Sequence, residues 1–305
     1  MKEDCLVTFA YAKVNLGLAV REKRQDGYHE LQSVMQTIGL YDTIKLSLTG
    51  CEIECICGGL SGPKNLAYQA AERFIGGLNL EKGIRIEIKK KIPIQAGLAG
   101  GSSDAAATLR GLNHLLNKPY SQEELLELAN QLGSDVAFCL QGGTQWAEGR
   151  GERLFALPAA PEMDIILVKP WQGINTGESY RRFDQLGKEH PLNLETWQEA
   201  LSALSIERIA SLLSNDLEIG SQSILPEIAD IKKDLREAGC YNALMSGSGS
   251  AVFGIARSET QARDIALSFK NKGYSVWVTK TITPNLSQEL KQSFFGRGDY
   301  SWRES

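Results

Sequence analysis

Three clusters of residue types able to handle phosphate and protons stand far apart in the chain. The first, Pro93-Ile94-Gln95-Ala96-Gly97-Leu98-Ala99-Gly100-Gly101-Ser102-Ser103-Asp104, packs small residues into a turn and then offers two hydroxyls and a carboxylate at a helix start. Small residues let backbone amides crowd around a ligand, and a helix N-terminus adds unpaired N–H donors and the positive end of its dipole. The natural guest is a polyphosphate. The bland alternative is a turn with Ser102 or Ser103 as N-cap and Asp104 in the first helical turn. Two familiar phosphate loops fail on spacing: no lysine follows Gly101 as a Walker A loop requires, and a dinucleotide fingerprint wants glycine where Ala99 and Ser102 stand. Any cation must come from elsewhere.

The second cluster, Ala10-Tyr11-Ala12-Lys13-Val14-Asn15, supplies one. In an alternating strand Tyr11, Lys13 and Asn15 share a face, and a lysine and an amide among apolar neighbours need partners. A solvated lysine on the wet face of the strand is the alternative. The third cluster, Ser246-Gly247-Ser248-Gly249-Ser250, is by itself a hairpin turn, and it lacks the Gly-x-Ser-x-Gly elbow of serine hydrolases.

The elements that must position these residues follow from periodicity. Strands are predicted over 5–20, 28–38, 43–48 and 51–57, a helix over 65–77, and a strand over 83–92 that alternates Ile84, Ile86 and Ile88 with charged residues. Helix 102–117 carries Ala105, Leu109, Leu112 and Leu116 on one face, and Ser121 with Glu124 forms a capping box for a helix ending near Gly133. Pro158 and Pro161 interrupt the pattern. Beyond them come a strand at 163–169, three or four helices between 175 and 238, strands 241–246 and 251–256, helix 258–272 and strand 274–281. This mixed order indicates α+β rather than a doubly wound sheet.

The chain has 305 residues, 42% apolar and 23% charged, and its 33 basic against 37 acidic side chains leave a net charge of −4. That balance excludes fibres and wholesale disorder and argues against nucleic-acid binding, which needs a clustered basic surface. Lys89-Lys90-Lys91 is expected to be a solvated strand end. No apolar run suggests a membrane span, and the strand-like Cys5–Ala12 follows so soon after Met1 that no leader peptide is expected, which implies a cytoplasmic protein. The six cysteines read as free thiols, with Cys51, Cys55 and Cys57 on one buried strand face rather than as metal ligands. The three histidines, His29, His114 and His190, form no metal-binding pair.

In their order and spacing the three clusters resemble the signature motifs of the GHMP kinases, from Ala12 to Phe253. Arg24-Gln25-Asp26-Gly27-Tyr28-His29 narrows the resemblance to the branch that phosphorylates a cytidylyl-linked methylerythritol. Leu132-Gly133-Ser134-Asp135-Val136-Ala137-Phe138, Gly142-Gly143-Thr144 and Glu148-Gly149-Arg150-Gly151-Glu152 do the same. Ser134 and Ala137 depart from that branch's usual pattern without touching the carboxylate, and Ala99 replaces a common glycine in a conformation that alanine is expected to tolerate.

The resemblance implies a catalytic pair at Lys13 and Asp135 and an ATP loop over Pro93, Ile94, Gln95, Ala96, Gly97, Leu98, Ala99, Gly100, Gly101, Ser102 and Ser103. It puts Tyr28 in a stack on cytosine, His29 in a hydrogen bond to that base, Tyr180 as a second aromatic wall, and Asn15 at the erythritol part. ATP is implied as co-substrate, with Mg2+ accompanying it, the Ser103 hydroxyl nearby and no dedicated protein metal site. The implied fold is α+β in two domains: an N-terminal one over 1–158 like ribosomal protein S5 domain 2, and a ferredoxin-like C-terminal one over 159–284. The site lies between them, and a polar tail, 285–305, follows. The expected partner is the small cytidylyl substrate, with neither nucleic acid nor membrane; oligomeric state has no signature in the sequence. Other kinases of the family would keep Lys13, the loop and Asp135 but have no use for Tyr28 and His29, and a nucleotide sensor would be expected to lose one member of the pair.

Overall fold

The structure, a computed structural model, describes residues 5–78, 83–187 and 190–284. The tail expected over 285–305 lies outside the described residues. The chain opens with two long antiparallel strands, β1 (Cys5–Lys23) and β2 (His29–Thr49), joined at Asp26-Gly27, where Gly27 takes φ +86° as a tight hairpin requires. The segments expected as separate strands, 28–38 and 43–48, are one strand. Its register against β1 shifts between the pairs Tyr11↔Tyr41 and Lys13↔Thr37, so β2 bulges around Gly39 instead of ending there. A Cβ on Gly39 would press on the Thr279 hydroxyl at 3.1 Å, and Ile38 bridges to Thr281, so the bulge packs against the last strand and the chain that follows it.

Next come β3 (Ile53–Ile56), α1 (Leu66–Gly76, capped by Asn65), β4 (Gly83–Lys89), α2 (Gly100–Leu115) and α3 (Gln122–Leu132) with its expected capping box. The short helix α4 (Ser134–Gln141) and the hairpin β5 (Thr144–Gly149) and β6 (Arg153–Ala156) carry no clear periodicity and are not anticipated. Residues 157–163 form neither helix nor strand. After β7 (Asp164–Lys169) run five helices, α5 (Thr176–Leu186), α6 (Leu194–Ser202), α7 (Ile206–Ser211), α8 (Leu217–Ile224) and α9 (Glu227–Glu237), with the two-residue strand β8 (Ser214–Asn215) between α7 and α8. The chain then forms β9 (Asn242–Met245), β10 (Val252–Ile255), α10 (Glu259–Asn271) and β11 (Ser275–Lys280).

The larger sheet runs β3-β4-β2-β1-β8, with β5 and then β6 beside the first half of β2. The smaller, antiparallel sheet runs β11-β7-β10-β9, the ferredoxin-like order for a β-α-β-β-α-β chain. Helices α1 to α4 cover the larger sheet through Phe74, Leu109 and Leu112 on Ile44, Leu46 and Ile86. A second core joins Ala12, Val14 and Leu16 of β1 to Ile165, Leu167 and Phe253 of the smaller sheet, so both faces of β1 are buried. Each large apolar side chain withdrawn from water there contributes about 1.5–3 kcal/mol, which holds the two sheets on either side of one cleft. Cys55 and Cys57 are buried as expected, whereas Cys51 lies exposed before β3. Among the described residues no helix is long and apolar enough to cross a membrane.

Candidate active site

The register shift after Tyr11 breaks the simple alternation of β1. Tyr11 packs its ring against Phe9 and Tyr41, while Lys13 and Asn15 turn into a cleft of about 980 Å³. Both are buried, and the Lys13 ammonium donates to Asn15 Oδ1 at 2.7 Å. Asn15 in turn donates from Nδ2 to Ser33 Oγ at 2.8 Å, and the Ser33 hydroxyl donates to the Gly17 carbonyl at 2.7 Å. Lysine can only donate, so this chain of bonds leaves Asn15 one orientation.

The loop from Pro93 to Ser102 lines the same cleft. It is tied on two sides. The Lys13 amide donates to the Leu98 carbonyl, while Ser250 N, Ala251 N and Ser246 Oγ donate to the carbonyls of Gln95, Ala96 and Gly97. The third cluster, Ser246–Ser250, is thus the wall against which the loop rests: a Cβ on Gly97, at φ +73°, would stand 2.0 Å from the Ser246 carbonyl oxygen.

Helix α2 begins at Gly100, two residues earlier than expected, with Ala99 as N-cap. Alanine has no side chain to cap with, so the amides of Gly100, Gly101 and Ser102 keep their donors for a ligand, and the capped-turn alternative does not occur. Ala99 sits at φ +57°, in the left-handed region, which alanine adopts only at a cost of about 1–2 kcal/mol. The expectation that alanine is at ease there is corrected. Ser103 is also corrected: it is buried beneath the cradle, and its hydroxyl donates to the Tyr11 carbonyl at 2.6 Å.

Asp135 stands in the first turn of α4, and its Oδ2 lies 3.7 Å from Lys13 Nζ. Residues 122 positions apart thereby meet on the cleft wall beside the open amides, Lys13 buried and Asp135 partly exposed. One turn along α4, burial above all, then the Asp135 charge, pushes the Cys139 thiol far up, leaving it a neutral packing group rather than a nucleophile.

At the outer end, Tyr28 is 58% exposed with the Arg150 guanidinium 5.2 Å from its ring centre. His29 is buried, stacked on Tyr180 at 5.4 Å between ring centres. Tyr180 and Arg150 line the cleft, whereas Tyr28 and His29 stand just outside its lining. The structure therefore brings Lys13, Asn15, Asp135, Tyr180 and residues 93–102 onto one surface.

Three residues outside the sequence expectations support this site. Lys90 is no solvated strand end: its ammonium lies 2.5 Å from Asp42 and 2.6 Å from Asp104, while Asp42 accepts the amides of Lys91 and Ile92 and so anchors the loop's entry. Burial above all pushes the Asp104 carboxyl up, with Asp42 adding to the effect and Lys90 opposing it. The third residue is Asp184, which accepts from Lys23 Nζ at 3.0 Å and lies 2.7 Å from His29 Nε2. Asp42 falls between the strands expected over 28–38 and 43–48, and Asp184 lies on a polar helix, positions where a carboxylate usually faces water, so no local signal marks either. Among the described residues no group of three His, Cys, Asp or Glu could hold a metal ion.

A cradle of uncapped amides beside a lysine–carboxylate pair is the arrangement of a phosphoryl-transfer enzyme. Residues 65–143 match the GHMP kinases N terminal domain, and residues 197–275 match the GHMP kinases C terminal domain. A protein of Desulfitobacterium hafniense (strain Y51) named 4-diphosphocytidyl-2-C-methyl-D-erythritol kinase is 57% identical over 275 residues, which cover 90% of this chain and 95% of that protein. One of the same name from Bacillus subtilis (strain 168) is 45% identical over 260 residues, 84% of this chain and 90% of its own. The crystal structure of a 4-(cytidine 5'-diphospho)-2C-methyl-D-erythritol kinase superposes with a TM-score of 0.79 at 34% identity, covering 91% of this chain and all of that one. A homoserine kinase from Cytophaga hutchinsonii shares the fold, with a TM-score of 0.73 at 22% identity over 93% of this chain and 96% of that one. The chain belongs to the GHMP kinases, a family of small-molecule kinases with ATP as co-substrate, and within them to the branch of these 4-diphosphocytidyl-2-C-methyl-D-erythritol kinases.

Proposed function

We propose that this protein is a cytoplasmic enzyme that transfers the γ-phosphoryl group of ATP to the 2-hydroxyl of 4-diphosphocytidyl-2-C-methyl-D-erythritol, giving the 2-phosphate and ADP in the non-mevalonate isoprenoid precursor pathway. The observation that carries this reading is the 3.7 Å approach of Lys13 and Asp135 beside the open amides at the start of α2. The relatives' names supply the acceptor.

In this reading the amides of Gly100, Gly101 and Ser102 and the loop from Pro93 hold the ATP phosphates. Asp135 accepts a hydrogen bond from the acceptor hydroxyl and takes its proton as the new P–O bond forms and the bond to ADP breaks, a contribution of about 10² to 10⁴ in rate. Phosphoryl transfer is loose, so Asp135 chiefly orients the hydroxyl and receives the proton late. Lys13, held by Asn15, faces the developing negative charge. Asn15 meets the erythritol part, Tyr28 and Tyr180 flank the base, and His29 hydrogen-bonds it. Magnesium enters as part of the ATP complex, that is, as substrate. The Ser103 hydroxyl is committed elsewhere and the described chain presents no metal cage, so no step is assigned to the ion. We place the division between N- and C-terminal units at 158/159, so that the ATP loop comes from one unit and the wall at Ser246–Ser250 from the other.

The test is ADP release with four acceptors: the cytidylyl methylerythritol, homoserine, mevalonate and galactose. Turnover with the first alone is expected; a clear preference for another acceptor would overturn the reading.

A further inference from the structure

His29 has one ring nitrogen tied to protein and one left open. Nε2 lies 2.7 Å from Asp184 Oδ1, and the other oxygen of that carboxylate accepts from Lys23 Nζ at 3.0 Å. The ring cannot turn easily, since Tyr180 stacks on its face and Phe183 meets it edge-on at 85°. Nδ1 makes no hydrogen bond to the described protein, yet it is not among the buried polar atoms left without a partner, so it faces accessible space. Tyr180, Phe183 and Asp184 all come from one turn of α5, which brings the aromatic wall and the carboxylate to the same imidazole.

An ionised carboxylate can only accept, and a neutral imidazole has one donor nitrogen and one acceptor. Asp184 therefore fixes the hydrogen on Nε2 and leaves the lone pair on Nδ1. An open acceptor asks its ligand for an N–H. Of the two common pyrimidines, cytosine carries an exocyclic amino group where uracil carries a carbonyl oxygen. Two acceptors facing each other leave both unpaired, which costs binding.

We propose that Asp184 is a specificity-determining positioning residue, holding His29 as the Nε2–H tautomer so that Nδ1 admits a cytosine-bearing acceptor and turns away its uracil counterpart. The proposal rests on the reading above that His29 meets the base of the acceptor.

The test uses the full-length protein with ATP and two acceptors that differ only in carrying cytidylyl or uridylyl, comparing kcat/KM for wild type, Asp184→Asn and Asp184→Ala. An asparagine can turn either its oxygen or its amide toward Nε2, so the tautomer is no longer fixed. The cytidylyl preference is expected to fall by about tenfold or more through a raised KM for the cytidylyl acceptor, with KM for ATP unchanged. In wild type, 15N NMR of the ring nitrogens should show Nε2 protonated and Nδ1 not; with three histidines in the chain, a His29→Gln variant assigns the signal. An unchanged preference in both variants overturns the proposal and leaves the kinase reading standing, as does an Nδ1-protonated ring in wild type. A wild type inactive on both acceptors overturns the two together.

Discussion

Replacing Gly97 by alanine tests how the ATP loop is held. The added Cβ would stand 2.0 Å from the Ser246 carbonyl oxygen and 3.1 Å from the Gly249 amide nitrogen, so the loop must retreat by roughly an ångström from a backbone wall that cannot fold away. Retreat strains three hydrogen bonds, to the carbonyls of Gln95, Ala96 and Gly97, each worth about 0.5–1.5 kcal/mol. The left-handed backbone at φ +73° adds about 1–2 kcal/mol for any residue with a Cβ. Together these give at most about 2.5–6.5 kcal/mol, a large part of the roughly 5–15 kcal/mol that keeps a domain folded. Urea unfolding should show a clearly lowered midpoint, and KM for ATP should rise in whatever fraction remains native. Gly101→Ala is the control: its Cβ would meet only Leu66 at 3.6 Å, and alanine suits a helix better than glycine. That variant should keep or gain stability while the methyl group intrudes on the phosphate cradle and raises KM for ATP. A Gly97→Ala protein with wild-type unfolding midpoint and wild-type KM for ATP would refute the view that the two glycine clusters brace each other.

Ala99→Gly relieves the left-handed strain at the N-cap and should stabilise the protein by up to about 1 kcal/mol, glycine's extra freedom in the unfolded chain offsetting part of the gain; calorimetry reads it. Ser33→Ala removes the acceptor that orients Asn15, so turnover should fall roughly tenfold with KM for ATP unchanged, about 1.4 kcal/mol in the transition state. Tyr28→Ala should raise KM for the cytidylyl acceptor by the equivalent of about 1–3 kcal/mol if the ring carries a stacked base. Burial raises the Asp184 carboxyl, but the hydrogen bonds from Lys23 and His29 and the Lys23 charge outweigh it and hold it below its ordinary value. Its contribution to stability is therefore present at neutral pH and lost as the pH falls below about 4; thermal unfolding against pH should show this for wild type and not for Asp184→Asn.

What could be seen in the sequence was whatever a short stretch declares. The cradle, the lysine strand and the capping box each state their role in a few residues, and the alternating Ile84, Ile86 and Ile88 place β4. The pairing of Lys13 with Asp135 was accessible only by resemblance, because 121 intervening residues say nothing of where α4 will point. The bulge in β2 was hidden because Gly39 in an apolar run reads as a break, and its purpose is set by Thr279 and Thr281 far along the chain. Ser103 reads as a ligand for phosphate, yet the helix starts at Gly100 and turns its hydroxyl inward. Asp42, Lys90 and Asp104 look like surface charges until the fold folds all three inward.

The most direct measurement is acceptor-dependent turnover of Asp135→Asn, with ATP affinity and the unfolding midpoint determined on the same preparation. Asparagine keeps the shape and position of the side chain but cannot take the hydroxyl proton. The account predicts a fall of about 10² to 10⁴ in kcat with ATP affinity and unfolding as in wild type. A variant that turns over within a few-fold of wild type would contradict it.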